Sequence, residues 1–323
     1  MPNPSQEDVH VSRPLNDFSI AYFPETDDYV WPSIAPTVKA EHTTDQFGII
    51  GKEHLQLLET EVADGARPGT FEFTITYDTF TTLPHAIEVA LPWRKKKNAD
   101  QWLDYQSLHN RMILEVFKRS QEYRVKDACV GAGTTFSGTA LAGVNRWDTA
   151  TGTPIDDVKT ARLAVWTGCQ KKPNTFVVSR PVHEELKENA QVHDRITWRP
   201  AAGGGEPHWV ENADLARLFE VDYYIVAEGQ YMNVSLDAVG STTPSWLWGD
   251  NAFLCYVDPN VSTEMMSAMK TFVFPLWGES LQPAVRVFIE ERNDRDILKV
   301  SWDAVPKVTC TGAGYYFQTA ITL

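Results

Sequence analysis

The chain has 323 residues, 43% hydrophobic and 22% charged, which describes an ordinary folded protein with enough apolar mass for a sizeable core. Its formal charge is −14, from 29 Lys and Arg against 43 Asp and Glu, so nucleic-acid phosphates repel it unless its basic residues segregate. The one basic run, Arg94-Lys95-Lys96-Lys97, reads as a solvated charge run rather than a nucleic-acid patch.

The length allows two compact domains, or one domain with long excursions. Residues 1–36 hold Pro2, Pro4, Pro14, Pro24, Pro32 and Pro36 and no helical period, which predicts an extended arm. Phe18, Ile20, Tyr22, Phe23, Tyr29, Val30 and Trp31 make it too apolar for a free tail. It is expected to lie on another surface, of its own chain or of a neighbour. The opening MPNPSQEDVH lacks the basic and apolar regions of a signal peptide. Ala128–Asn145 is uncharged but rich in Gly, Ser and Thr, unlike a membrane span. The chain therefore reads as soluble and cytoplasmic in origin.

Residues 47–58 and 71–78 flank a turn-rich stretch with Gly65, Pro68 and Gly69. Phe71, Phe73, Ile75 and Tyr77 alternate with Glu72, Thr74, Thr76 and Asp78, which predicts a half-exposed strand. Together they predict a long two-stranded excursion, and a lone hairpin has no core of its own. The clearest helix follows, from about Ala99 to about Lys126. Asn98 and Gln101 form a capping-box pattern, and Trp102, Tyr105, Leu108, Met112, Ile113, Val116 and Phe117 recur at apolar positions. Such a rod is on the order of 40 Å long.

From Pro154 the pattern turns to mixed helix and strand. Ile155, Val158, Ala161, Val165 and Trp166 have helical spacing, with Gly168 just past the end. NTFVVS (174–179) is a short buried strand. Pro181–Ala190 is a helix with Ser179 as N-cap and a stripe of Val182, Leu186 and Ala190. Asn212 caps ADLARLFE, and VDYYIVAE is a strand. The last third alternates strands and turns, with ERNDRD (291–296) at a hairpin tip.

Little of this carries catalytic chemistry. A zinc-peptidase helix starting at His183-Glu184 needs a histidine at 187, where Lys187 stands. His183, Glu184 and Glu185 therefore read as a solvated helix face. GTTFSGTA (133–140) has the glycine spacing of a phosphate loop, but Thr139 and Ala140 follow Gly138 where Lys and Ser/Thr are needed. It reads as a polar loop. Phe136 breaks the dinucleotide fingerprint. Asp156-Asp157 sit in a helix's first turn, where acids are favoured anyway. Cys129, Cys169, Cys255 and Cys310 are far apart, without CxxC, as expected of small buried hydrophobes in a reducing compartment. No residue is assigned as catalytic, cofactor-binding or metal-ligating, and no enzyme activity or cofactor is expected.

The order of features resembles the major capsid proteins of tailed bacteriophages, the Hong Kong phage fold, over nearly the whole chain. The resemblance rests on FGIIGKEHLQLLETEVADGARPGTFEFTITYDTF, on NADQWLDYQSLHNRMILEVFKRSQE, and most specifically on DDVKTARLAVWTGCQKKPNTFVVSRPVHEELKENAQVHDRITW with LARLFEVDYYIVAEG and SWLWGDNAFLCYV. It implies an α+β fold in five parts. These are an N-terminal arm (1–36), an extended β-hairpin loop (37–92), a peripheral domain with a long spine helix (93–165), an axial domain (166–263), and returning strands of the peripheral domain (264–323). It implies a structural protein that self-assembles into pentamers and hexamers of an icosahedral shell around phage DNA. The virion would be assembled in the host cytoplasm, with no membrane partner and no sequence-specific DNA contact. The short arm leaves no room for a fused scaffolding segment, so a separate scaffolding protein is expected, with a portal and a decoration protein as further candidate partners. Some relatives join subunits by a Lys–Asn bond. Lys52 is the sole lysine between Glu41 and Leu91 that could supply one, and no such bond is expected. An encapsulin-type compartment shares the implied fold, but it should begin with an amphipathic helix rather than a proline-interrupted arm. A metal-dependent hydrolase built on the His183 helix is the reading from another class.

Overall fold

The computed structural model describes residues 29–50, 57, 60–62, 64, 67, 69, 70, 72, 74–98, 105–197, 210–232, 244–260, 266–276 and 281–323. In chain order the described elements begin with α1 (Trp31–Ile34), β1 (Thr37–Lys39), β2 (Thr44–Ile50), β3 (Ile75–Thr81), β4 (Leu83–Pro92), α2 (Trp93–Asn98), α3 (Tyr105–Val130) and β5 (Ser137–Ala140). They continue with α4 (Pro154–Cys169), β6 (Thr175–Ser179), α5 (Arg180–Glu188), α6 (Ala190–Thr197), α7 (Asn212–Leu218), β7 (Tyr223–Ala227), β8 (Gln230–Tyr231) and β9 (Ser245–Trp246). The last are β10 (Ala252–Cys255), β11 (Met269–Phe274), β12 (Ala284–Glu290), β13 (Arg295–Val308) and β14 (Gly314–Gln318).

The first sheet is organised by β13. Its 14 residues pair with β12 and then β11 along one edge and with β4 along the other, all antiparallel, and β1 adds parallel to β11. The period-2 pattern of a half-buried strand is plain: Asp296, Leu298, Val300, Trp302 and Ala304 are buried and point one way. α3 lies over this face. Trp302 is the junction, with its ring centroid 5.8 Å from Trp31 and 6.3 Å from Phe117.

The second sheet runs β5-β14-β10-β6-β7. Its central strands β6 and β10 are buried throughout, because both faces are covered, and such strands read as continuous apolar runs. Val177, Phe253 and Cys255 face the core shared with α3. Phe176, Val178, Ala252, Leu254 and Phe317 face a second core made with α4 to α7. Chain order places β14 among the returning strands and β5 beside the long helix, but in space both belong to this second sheet.

Several local expectations shift. The 26-residue α3 runs to Val130, four residues beyond Lys126, and stops at Gly131, where a Cβ would lie 2.3 Å from the Asp127 carbonyl oxygen. Asn98 closes the separate basic helix α2, and Gln101 falls outside the described residues. Trp31–Ile34 is a helical turn inside the supposedly extended arm, with Pro32 near its start where a missing N–H costs nothing. Gly168 lies within α4, not after it, because its backbone packs on Gly312: a Cβ there would sit 2.4 Å from the Gly312 oxygen. Part of the expected polar loop GTTFSGTA is the edge strand β5, where Gly138 lies against the Tyr316 ring. Ser179 does cap α5, but Asn189 breaks the helix and leaves Ala190 exposed. Glu211, not Asn212, caps α7, in a capping box with Asp214.

Candidate assembly surfaces

The hairpin β2–β3 pairs antiparallel from Thr44↔Thr81 to Ile50↔Ile75. Phe71 and Phe73, expected on its apolar face, lie outside the described residues. The two faces of the described part differ. On one, Phe80 stacks on Phe272 at 4.0 Å and 7°, with Phe47 at 5.8 Å from the same ring. Val38, Ala40 and Val305 complete this small core at the hairpin root. Lys307 pairs with Asp78 at 3.0 Å beside it. On the other face Ile75 and Tyr77 are 41% and 68% exposed, and Gly48 lies opposite Tyr77 with the Ile75 side chain over it. An aromatic and a β-branched side chain left open on a strand face suit burial against another surface. Phe80→Leu should cost about 1 kcal/mol, the stacking being worth that much beyond area. Hydrogen exchange should show the loss at the amides of 44–50 before any change in the second sheet.

The arm reaches the described region at Tyr29. From there it is inserted, not free: Val30, Trp31, Ile34 and Ala35 are buried in the main core of their own chain. Tyr29 Oη donates to Glu115 on α3 at 3.3 Å, and burial raises its phenol to about 12. The long helix does not bury its whole predicted stripe. Ile113 and Phe117 are buried, but Met112 and Val116 are 56% and 44% exposed and share an open groove with Arg111, Glu115 and Arg119. Residues 112 and 113 differ by about 100° around a helix, so a run that looks like one wide stripe serves two directions.

The His183 segment packs into its own subunit. The ring is buried rather than on a solvated face, and its Nδ1 lies 2.9 Å from the Tyr224 hydroxyl. Burial pushes its pKa down to about 4. Glu184 pairs with Arg180 at 2.8 Å, and Arg180 with Glu228 at 2.7 Å. Asp157 accepts from the Trp147 indole at 2.9 Å, and Asp156 accepts from Gln191 at 3.0 Å, so both acids serve packing. Among the described residues no group of three or more His, Cys, Asp or Glu is placed to hold a metal, and no helix is long and apolar enough to cross a membrane. Cys129, Cys169 and Cys255 are buried, Cys310 is half-buried, and none of the four is in a disulfide.

Sequence reasoning missed Glu122. It lies in the middle of α3, fully buried, accepting from the Trp31 backbone N–H at 2.7 Å and the Trp248 indole N–H at 2.5 Å. One acid in a helix that also carries Glu115, Lys118 and Arg119 gives no local sign of burial.

No protein-family model matches the chain. The major capsid protein of Burkholderia phage BcepMu is 22% identical over 256 residues, 76% of each chain. Among solved structures, a phage-related protein from Bordetella bronchiseptica RB50 has a TM-score of 0.73 at 19% identity, covering 97% of this chain and 98% of its own. The capsid of the native GTA particle has a TM-score of 0.53 at 13% identity, covering 98% and 94%. The holo-SrpI encapsulin of Synechococcus elongatus PCC 7942 has a TM-score of 0.53 at 11% identity, covering 98% and 92%. The fold is that of phage capsid subunits, α+β, over almost the full length.

Proposed function

We infer that this chain is a major capsid protein, the structural subunit of a bacteriophage shell. The observation that carries this reading is a capsid fold over nearly the whole chain whose hairpin, among the described residues, leaves Ile75 and Tyr77 exposed on one strand face. Fold alone leaves function open. The capsid-protein relative, matched over three quarters of both sequences, supports the shell role.

The subunits close into pentamers and hexamers, since symmetry lets one chain tile a sphere. The arm (1–36) and the loop (37–92) lie across neighbouring copies. The peripheral domain (93–165 and 264–323) forms the capsomer's outer body, and the axial domain (166–263) gathers around the symmetry axes. The chain acts as scaffold rather than catalyst. Its acidic balance suits packaged double-stranded DNA that must slide, not stick. A separate scaffolding protein, a portal and a decoration protein are the expected partners. Assembly takes place in the host cytoplasm and the mature location is the virion. An encapsulin-type shell is the alternative on the same fold, and the N-terminal segment that distinguishes them lies outside the described residues.

Electron microscopy of the purified full chain, alone and co-expressed with candidate scaffolding proteins, tests the reading. Closed shells or capsomer rings are expected. A chain that sediments as a monomer in every salt, pH and scaffold condition overturns it.

A further inference from the structure

Glu122 joins three parts of the molecule that are far apart in sequence. It belongs to α3. One carboxylate oxygen takes the backbone N–H of Trp31, the first residue of α1, where the arm enters the core. The other takes the indole N–H of Trp248, which sits in the turn at Gly249 between β9 and β10 of the second sheet. The Val30 N–H also favours the carboxylate form. Trp248 is itself buried, and its carbonyl is held by the Asn251 side chain at 2.8 Å.

We propose that Glu122 is a proton-operated clasp: ionised, it holds the arm root and the Trp248 turn together across the long helix, and protonated, it keeps one and slackens the other. A carboxylate has acceptor capacity on both oxygens, whereas a carboxylic acid spends one oxygen as a donor. The side that slackens is the arm root. Its bond is made by the backbone N–H of the first residue of a single helical turn, itself packed in the core through Val30, Trp31, Ile34 and Ala35, whereas the Trp248 indole belongs to a turn that the Asn251 side chain also holds.

Burial raises the Glu122 carboxyl to about 7, against the opposing pull of the Trp248, Trp31 and Val30 donors, so the proton is exchanged near neutrality. The other ionisable groups around it do not compete in that range. Cys129, on the same helix, and Cys255, on β10, are both raised by burial and stay protonated. On the arm side, Tyr29 is held at about 12 and faces Glu115 and Arg119. The clasp is a property of the folded subunit, so its test is independent of whether the subunit builds a shell.

The measurement is amide hydrogen exchange of the unassembled full chain at about pH 8 and about pH 5.5, either side of the carboxyl's range, corrected for the intrinsic pH dependence of exchange. The Trp31 amide is expected to lose about tenfold in protection at the lower pH, the factor that goes with losing one charge-assisted hydrogen bond. Amides of β6 and β10 should not change. In Glu122→Gln, Trp31 should be weakly protected at both pH values, with no step between them. Equal Trp31 protection in the wild type at both pH values overturns the proposal, as does a step that survives in the variant. Should the variant fail to fold, infrared spectroscopy of the wild type decides: the carbonyl stretch of a buried carboxylic acid must appear as pH falls through neutrality, and its absence overturns the clasp.

Discussion

Deleting the hairpin tip, Glu61–Gly69, is expected to leave a folded subunit that no longer assembles. The hairpin root is anchored away from the deletion, by Phe80 on Phe272 and by the Asp78–Lys307 pair. Shortening an exposed loop costs little in closure entropy. Both sheets and all three cores lie outside the deleted stretch. Strand β3, however, presents Ile75 and Tyr77 to whatever it buries against, and losing the connection to β2 that sets their pairing disturbs register along both. Circular dichroism should match the full chain, while sedimentation should show loss of shells. Normal assembly would mean that the hairpin reaches no neighbour. An unfolded variant would place the hairpin in the core of its own subunit.

The second large effect is in stability against pH, where two buried groups work in opposite directions. The folded value of Glu122 is about 7, above its ordinary 4.5. Between those values the folded chain holds a proton that the unfolded chain has released. Stability from this group is therefore full at low pH and is lost as pH rises through 7, by about 3 kcal/mol in all. His183 is the reverse. Its folded value is about 4, below 6.5, so the unfolded chain takes up the proton first. Its contribution is present above 6.5 and is lost as pH falls toward 4, by about 2 kcal/mol after allowance for solvent near its charged neighbours.

Over the shared window, about pH 4.5 to 6.5, the two slopes offset one another in the wild type. Each variant should unmask the other group. Glu122→Gln should become more stable as pH rises across this window. It also leaves one buried donor without an acceptor, a cost of about 1–3 kcal/mol that does not vary with pH. His183→Gln, which can still bond Tyr224, should become less stable as pH rises. Urea unfolding at several pH values reads both. If either variant gives a profile parallel to the wild type, that group does not titrate as its burial requires.

Several parts of this molecule were legible without coordinates because their signals are local. NTFVVS reads as buried because its middle is a run of apolar residues, and Thr175–Ser179 of it is the central strand β6. The arm's aromatic residues announce that it must be covered, and Val30 and Trp31 are. The alternation through Ile75 and Tyr77 predicts the strand β3, but with its faces exchanged: Ile75 and Tyr77 are exposed, while the side that carries Asp78 and Phe80 is packed. The long helix follows from its periodicity, and the order of these segments carries the resemblance to phage capsid proteins.

What the sequence withheld depends on partners far along the chain. Met112 and Val116 fit a core stripe as well as Ile113 and Phe117 do, and only the direction from which β13 and β4 approach α3 separates them. Gly168 looks like a helix terminator because nothing near it in sequence reveals Gly312. Helix α5 carries His183 among charged residues, so its face looked solvated until Tyr224, on a strand 41 residues later, came to lie beside the ring. Glu122 is the extreme case. Its donors are 91 and 126 residues away, and a carboxylate's cost of burial is set by what surrounds it, not by its place in a helix. Local pattern fixes which segments form and which faces are apolar. The pairing of those faces is decided by closure of the whole chain, and the buried charges follow from that pairing.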